Sequence, residues 1–526
     1  IVIELKQWSN NSLKEIDIEG NFEISYGDHK GQQAHPCAQV QAYIIDMNDY
    51  IKLFKESQKV ELIGCSYCHN YNKKENTSLY DSQFNSLIKE YPLFSKQDVK
   101  KLGEYLKEKL SSDPGFQIFN RFIHSEIGPS KMLLDHVGAM INKQQVFNLI
   151  DDQIAARNAI IDRAKKQTRQ HDKSVIIVKG GPGTGKSVIA LEVMGELMRS
   201  GKPVFHATGS SAFTKTLRKL VGKRAEKFYK FFFNFTQMKE NEINVLICDE
   251  AHRIRKDSNN WGVPSGFKSK NSQIYDLIRP AKLSVFFIDE HQIVRPNEIG
   301  SVDLIKESAI KLGVPKNNIF EFELKTQFRC SGSDSFLQWI EDVLDIKKSE
   351  LGISLNSSDM KFEIVESPQK LKEIIDKKNK EKPNSARIVA GFCWPWSNPR
   401  SDGSLVNDVK IGNFEMPWEN KYKSWSWATD TEGMNQVGTI YTSQGFEFDY
   451  IGVIFSNDLV YDKKNSKWIT KPENSHDSAL TRGNVDLIKH LKNVYRVLLS
   501  RAHKGVYVYF MDKDTKEYFR SKIGNY

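Results

Sequence analysis

The sequence is poor in cysteine and has no long apolar run. Six cysteines are scattered over 526 residues, too few and too unevenly spaced for a disulfide framework, and no secretory leader is expected. The longest apolar stretches, such as Val285 to Ile288, are strand-sized, whereas a membrane-crossing helix needs roughly 18 to 20 apolar residues. A spanning protein and a secreted disulfide scaffold are thereby excluded, no membrane partner is expected, and the cytoplasm is the expected compartment. There is no repeat of fixed period and no low-complexity tract, so solenoid and fibrous classes fall away. What the chain does have is apolar matter: 39% hydrophobic and 11% aromatic residues against 27% charged suffice for packed cores. At roughly 100–200 residues per domain the length predicts three or four compact units. The net charge of +10 is a modest excess that favours a polyanionic partner.

The pattern falls into three parts. From Ile1 to about Arg121 a strand (1–5), a helix-like stretch (38–54), a strand (60–65) and polar helical sequence (96–110) read as a small α/β unit. The opening IVIELKQW reads as the middle of a buried strand, so residues upstream of Ile1 are expected. From about Asp151 strands alternate with glycine turns and helices, with β-rich runs at 175–178, 204–207, 245–248 and 285–288, which predicts a parallel sheet covered by helices. A third unit after Arg329 carries strands near 387–392, 437–441, 450–455 and 506–510, interrupted by a Trp-, Pro- and Gly-rich insertion at 394–427.

The strongest local signal is Gly180-Gly181-Pro182-Gly183-Thr184-Gly185-Lys186-Ser187, directly after an apolar strand and opening the helix 187–199. Glycines let backbone N–H groups turn inward around phosphates, Lys186 can reach the β and γ phosphates, and the Ser187 hydroxyl can hold Mg²⁺. Downstream, VLICDEAH puts Asp249 and Glu250 just past a buried strand. There Asp249 anchors Mg²⁺ through its water shell, and Glu250 orients or deprotonates the attacking water.

Further strings, in order, resemble the motifs of superfamily 1 helicases. SVFFIDEHQ places Asp289 and Gln292 as in the third motif. LKTQFR resembles the fourth, with Arg329 the candidate contact to the nucleotide. GTIYTSQGFEFD resembles the fifth, with Thr442, Gln444, Gly445 and Glu447, and NVYRVLLSRAHKG resembles the sixth, with Arg501 as arginine finger. Gln153, 27 residues before Gly180, resembles the adenine-reading glutamine. The resemblance implies two RecA-like domains with ATP bound between them, the cleft being completed by Arg501 when it closes. RIVAGFCWPWS and the insertion bearing Trp418, Trp425 and Trp427 resemble a bacterial family of unknown function related to the helicase-like part of Schlafen proteins. The tryptophans either pack a subdomain core, the favoured reading, or stack on single-stranded bases at about 1–3 kcal/mol each.

In the N-terminal unit, Glu4-x-Lys6 sits on one strand face and resembles the second half of the PD-(D/E)xK nuclease signature, where the carboxylate ligates Mg²⁺ (or Mn²⁺) and the lysine positions water. Gln39 and Tyr43, at i and i+4 on one helix face, match the Q-x-x-x-Y element of RecB-like nucleases. The aspartate that such a site also needs falls before Ile1; Asp17 and Asp28 are poor substitutes, Glu19 and Glu23 little better, and His35 reads as a supporting polar group. Cys65-x-x-Cys68-His69 spells a haem-attachment string, but neither haem nor zinc is expected in this context.

The fold class expected is thus α/β: a PD-(D/E)xK nuclease-like domain (1–130), then two RecA-like parallel-sheet helicase domains (131–330 and 331–526, the latter with the insertion 394–430). The combination resembles bacterial nuclease–helicase immunity proteins, which implies ATP and Mg²⁺ as cofactors, translocation on and degradation of DNA (single-stranded or duplex ends), and anti-phage defence. RNA as substrate, a repair or RNA-metabolic role, a nucleic-acid sensor with an inert nuclease fold, and homo-oligomerisation stay open.

Overall fold

The computed structural model describes residues 1–15, 20–26, 29–55, 60–75, 77–110, 115–125, 149, 151–166, 173–223, 225–259, 263–325, 334–347, 360–478 and 486–523. The chain divides into two compact units, one gathering residues 1–131, 142–168 and 322–326, the other 132–141, 169–321 and 327–526.

In the first unit, β1 (Val2–Ser9), β2 (Leu13–Glu15), β3 (Asn21–Tyr26), β4 (His29–Ala34), β5 (Gly64–Asn70) and β6 (Leu93–Ser95) form two small sheets: β1-β5-β6, and β2-β3-β4. β1 and β5 are parallel, joined across the helix Pro36–Tyr50, as parallel pairing demands a crossover. That helix starts where Pro36 occupies its first turn and the His35 side chain caps it: Nδ1 accepts from the Cys37 amide at 3.2 Å, while Nε2 donates to the Leu79 carbonyl at 2.9 Å. Both ring nitrogens are committed in the neutral form, and burial pulls the imidazole down to about 4 against the weaker opposing effect of the Leu79 bond. Trp8, Phe22, Val40, Ile44, Tyr71 and Phe84 form the core. The strand expected at 60–65 lies instead at 64–70. Gly64 sets its start, because a Cβ there would come within 2.4 Å of Val40 and 2.6 Å of Ile44 on the crossover helix. The helix Asp151–Lys166 belongs to this unit, with Asn21 donating to the Ala155 carbonyl at 2.8 Å.

The second unit holds two parallel sheets. The first comprises β7 (Ser174–Gly180), β8 (Val204–Thr208), β9 (Tyr229–Phe231), β10 (Ile243–Asp249), β11 (Ala281–Ile288) and β12 (Ile319–Leu324), in the order β12-β7-β11-β10-β8-β9. The central strands are buried on both faces, which is why they read as unbroken apolar runs. The second sheet is built from β13 (Lys361–Ile364), β14 (Ala386–Ala390), β17 (Val437–Gly438), β18 (Phe448–Phe455) and β21 (Ala502–Phe510), in the order β13-β21-β18-β14-β17. Between β14 and β17 the insertion contributes the antiparallel pair β15 (Val409–Ile411) and β16 (Phe414–Met416); β19 (Leu459–Asp462) and β20 (Lys467–Thr470) form a further hairpin.

Tryptophans of the insertion pack as a core: Trp394, Trp418 and Trp427 are buried, and Trp418 stacks on Phe392. Arg387, buried on β14, fastens the segment. Its guanidinium donates to the carbonyls of Trp427 (2.9 Å), Ala428 (3.1 Å) and Asp430 (2.9 Å), to its neighbour Ala386 and to the Asn384 side chain. The insertion also rests on the helix Ser211–Val221 that follows β8: the Thr216 hydroxyl donates to the Trp425 carbonyl at 2.7 Å, and Lys219 lies over the Trp425 ring and pairs with Asp430. The strand expected over 437–441 is only two residues long and turns into the helical turn Ile440–Ser443. The Thr439 amide that would continue the ladder is taken by the Glu419 carboxylate instead, at 2.8 Å.

Candidate nucleotide site

Three adjacent strands of the first sheet, β7, β11 and β10, deliver the phosphate loop, Asp289 and the Asp249/Glu250 pair at their carboxyl ends, the edge at which parallel sheets place ligands. Gly183 (φ 78°) and Gly185 (φ 83°) have left-handed backbones that a side chain would strain. Thr184 ties the turn by donating to the Gly181 carbonyl at 3.0 Å. Lys186 is buried, its Nζ donating to the carbonyls of Gly180 and Gly181, each at 2.7 Å; Ser187 opens the helix Lys186–Arg199 beside it, and Pro182 is buried in the loop.

Asp249 is buried, with Oδ2 lying 3.5 Å from His206 Nε2 and making no hydrogen bond. An orphaned buried carboxylate oxygen is the kind of ligand that suits a hard divalent cation. Glu250 adopts a left-handed backbone (φ 54°), an uncommon state for a non-glycine residue. Burial opposes its ionisation, yet His252, Lys186 and Arg253 together hold the carboxyl well below the usual range. Asp289 behaves likewise: burial would raise it, but Arg496, Lys186, a 2.8 Å hydrogen bond from Gln292 and His252 bring it to about 2.

The second sheet reaches this edge through its own motifs. Gln444, fully buried, places Nε2 2.9 Å from the Gln292 carbonyl and 3.0 Å from His252 Nε2, which lies 3.0 Å from Glu250 Oε2. Asn493 donates to the Ile293 carbonyl at 3.0 Å. Arg496 approaches Asp289 to 4.0 Å while its Nε and Nη2 grip Glu341 at 2.8 and 2.6 Å. Arg295 stacks over the Tyr441 ring at 3.6 Å. Gly445 (φ 98°) packs on Phe213, Thr442 is buried, and Glu447 pairs with His503 at 3.1 Å.

Of the residues expected from sequence, Lys186, Asp249, Glu250, Asp289, Gln292 and Gln444 converge. Arg501 is buried at the foot of β21, with Nε donating to the Val497 carbonyl at 3.0 Å. The arginine that faces Asp289 is Arg496, which sequence reasoning missed. Its signal was present: it sits in the last turn of the helix Leu487–Leu499, five residues before Arg501. Gln153 is buried within the first unit, and Arg329 lies outside the described residues. His252 and Glu419 were also missed: His252 is two residues past Glu250 in the same string, a signal that was present, whereas Glu419 has no spacing rule to mark it.

In the first unit Glu4 and Lys6 share a face of β1 and form an ion pair at 2.8 Å, with Lys6 3.4 Å from Gln33. Gln39 is buried and donates to the Ala34 carbonyl at 3.0 Å; Tyr43 is half-buried one turn on. Asp17, Glu19 and Asp28 lie outside the described residues. Among the described residues no three His, Cys, Asp or Glu side chains converge as a metal would require, around Glu4 or elsewhere. Cys65 and Cys68, three residues apart on a strand, fall on opposite faces; burial pushes their thiols up to about 11 and 12. No helix among the described residues is long and apolar enough to cross a membrane.

Comparison with known proteins bears on this site. An uncharacterized protein of Saccharomyces cerevisiae (strain ATCC 204508 / S288c), YPL245W, is 24% identical over 425 residues, 72% of this chain and 91% of its own length. The crystal structure of Pif1 helicase from Candida albicans aligns at 15% identity over 72% of this chain and 97% of its own, with a TM-score of 0.31. Residues 173–512, which contain the phosphate loop and every cross-sheet contact described above, match the model of the Schlafen group 3 DNA/RNA helicase domain. That match covers well over half of the sequence, and the chain belongs to the Schlafen group 3 helicase family.

Proposed function

We propose that this chain is a nucleic-acid-stimulated ATPase that moves along nucleic acid, with DNA as the first candidate substrate and RNA the second. The observation that carries the reading is the Gln444 bridge: one side chain of the second sheet touches both His252, beside Glu250, and Gln292, beside Asp289. Any change in how the sheets sit is therefore felt where the γ phosphate is hydrolysed, and the reverse. Ser187 and Asp249 would hold Mg²⁺, which supplies charge neutralisation at the phosphates. Lys186 exchanges its two loop carbonyls for phosphate oxygens. Glu250, kept ionised by His252, Lys186 and Arg253, can accept a hydrogen bond from the attacking water and aim it. Arg496 or Arg501 supplies positive charge from the second sheet. ATP hydrolysis measured with and without single-stranded DNA and RNA tests this: stimulation lost in Lys186→Ala supports it, and equal turnover with and without both polymers sinks it.

A nuclease activity in the first unit is the second part of the proposal, supported by the Glu4/Lys6 pair on one strand face beside Gln39 and Tyr43. Among the described residues no set of three His, Cys, Asp or Glu side chains completes a metal site there. Cleavage of labelled DNA by wild type that vanishes in Glu4→Ala would establish it, and cleavage that survives in Glu4→Ala would remove it. A role in defence against foreign nucleic acid belongs to the same proposal and rests on resemblance of motif order.

A further inference from the structure

We propose that Glu419, in the Trp-rich insertion, is a positioning residue for ATP hydrolysis that acts on Gln444 through Thr439, an inference that rests on the ATPase reading above. The geometry is specific. Glu419 is fully buried; its Oε2 accepts from the Thr439 amide at 2.8 Å and its Oε1 from the Thr439 hydroxyl at 2.7 Å. Its own backbone is pinned on both sides, the amide donating to the Val437 carbonyl and the carbonyl accepting from Trp396 Nε1, each at 2.9 Å. Thr439 begins the helical turn that ends at Gln444: its carbonyl accepts from the Ser443 amide at 2.9 Å, and the Gln444 amide donates to Ile440 at 3.1 Å. Two anchored atoms on Thr439 thus fix the pose of the side chain that touches His252 and Gln292.

Stability alone gives a poor account of this residue. A buried carboxyl is costly without a cation to offset it, and burial holds this one up at about 7 despite the Thr439 and Thr442 hydrogen bonds. An apolar residue would remove that cost but leave the buried Thr439 amide and hydroxyl without this partner. What the carboxyl uniquely does is stop β17 after Gly438, by taking the amide that would extend the strand, and force the turn that aims Gln444. The insertion that carries it also rests on the helix Ser211–Val221 of the first sheet through Thr216 and Lys219. Glu419 therefore links how the insertion is seated to the placement of Gln444.

Glutamine keeps an acceptor for the Thr439 amide and turns its N–H₂ to the Thr439 hydroxyl, which then accepts instead of donating, so glutamine is the conservative replacement and alanine the disruptive one. The test compares wild type, Glu419→Ala and Glu419→Gln in the full chain, reading the ratio of turnover with oligo(dT) or oligo(U) to turnover without it. That ratio is independent of the folded fraction, which a merely structural role would change. We expect the ratio to fall about tenfold in Glu419→Ala with KM for ATP within about twofold, and to return to within about twofold of wild type in Glu419→Gln. An unchanged ratio in Glu419→Ala, or an equal fall in both variants, overturns the inference. Should Glu419→Ala not fold, Thr439→Val removes one of the two bonds and is expected to lower the ratio about threefold; no change there overturns it as well. Absence of stimulated hydrolysis in wild type with both polymers would instead refute the ATPase reading, and the inference with it.

Discussion

Replacing Arg387 by methionine keeps the volume and removes every donor. Three insertion carbonyls then lose the guanidinium: those of Trp427 and Ala428 lose their donor, while that of Asp430 keeps the Gly433 amide. At about 2 kcal/mol for each unsatisfied buried acceptor and about 1 kcal/mol for the bond to Asp430, the loss is about 5 kcal/mol. Against this stands the relief of a buried cation: burial pulls the guanidinium down from 12.5 to about 10, a desolvation cost of roughly 3 kcal/mol at 1.36 kcal/mol per unit. The net is a weakening of about 2 kcal/mol, concentrated in the segment 427–433, which corresponds to an about 30-fold rise in its open population. Hydrogen exchange of peptides spanning that segment reads the effect directly, because the Asp430 amide is protected by the Ser426 carbonyl at 2.8 Å and the Gly433 amide by the Asp430 carbonyl at 3.1 Å. Exchange in Arg387→Met within about fivefold of wild type would correspond to less than about 1 kcal/mol and would refute the claim that this side chain fastens the insertion.

Other outcomes follow from the same geometry. His35→Asn retains a capping acceptor but no titrating ring. In wild type the unfolded chain takes up a proton near 6.5 while the folded ring holds out to about 4. The stability contributed by neutral His35 is therefore present above 6.5 and lost as pH falls toward 4, by about 2–3 kcal/mol at pH 4.5. Urea midpoints of the first unit's transition at pH 7 and 4.5 should diverge in wild type and converge in the variant; equal divergence would exclude His35 as the cause. Arg496→Ala breaks the approach to Asp289 and the Glu341 pair, and ATP hydrolysis should fall by at least about 100-fold with nucleotide binding retained. If Arg501→Ala alone shows that loss, the finger is Arg501.

Much of the nucleotide site was legible because its chemistry is local: a glycine turn after an apolar strand, an acidic pair at a strand end. Both sheets were legible for the same reason, since strands buried on two faces read as apolar runs. The failures share a different cause. The short β17 and the helical turn after it depend on Glu419, which is 20 residues away in sequence, and no periodicity carries that information. The strand at 64–70 was placed early because the apolar residues precede it, whereas its register is set by the close approach of the crossover helix at Gly64. Arg496 was passed over for Arg501 because motif spacing names a position but not the direction in which a helix presents it. Of the tryptophans favoured as a core, Trp418 and Trp427 are buried while Trp425 is only half-buried, with Lys219 over its ring.

Displacement of a labelled strand from a partial duplex, followed for DNA and RNA with ATP present or withheld, tests the central claim most directly. The account predicts ATP-dependent displacement on at least one of the two, abolished in Lys186→Ala and weakened in Gln444→Ala. Displacement that proceeds equally without ATP, or that is untouched by Lys186→Ala, would contradict it.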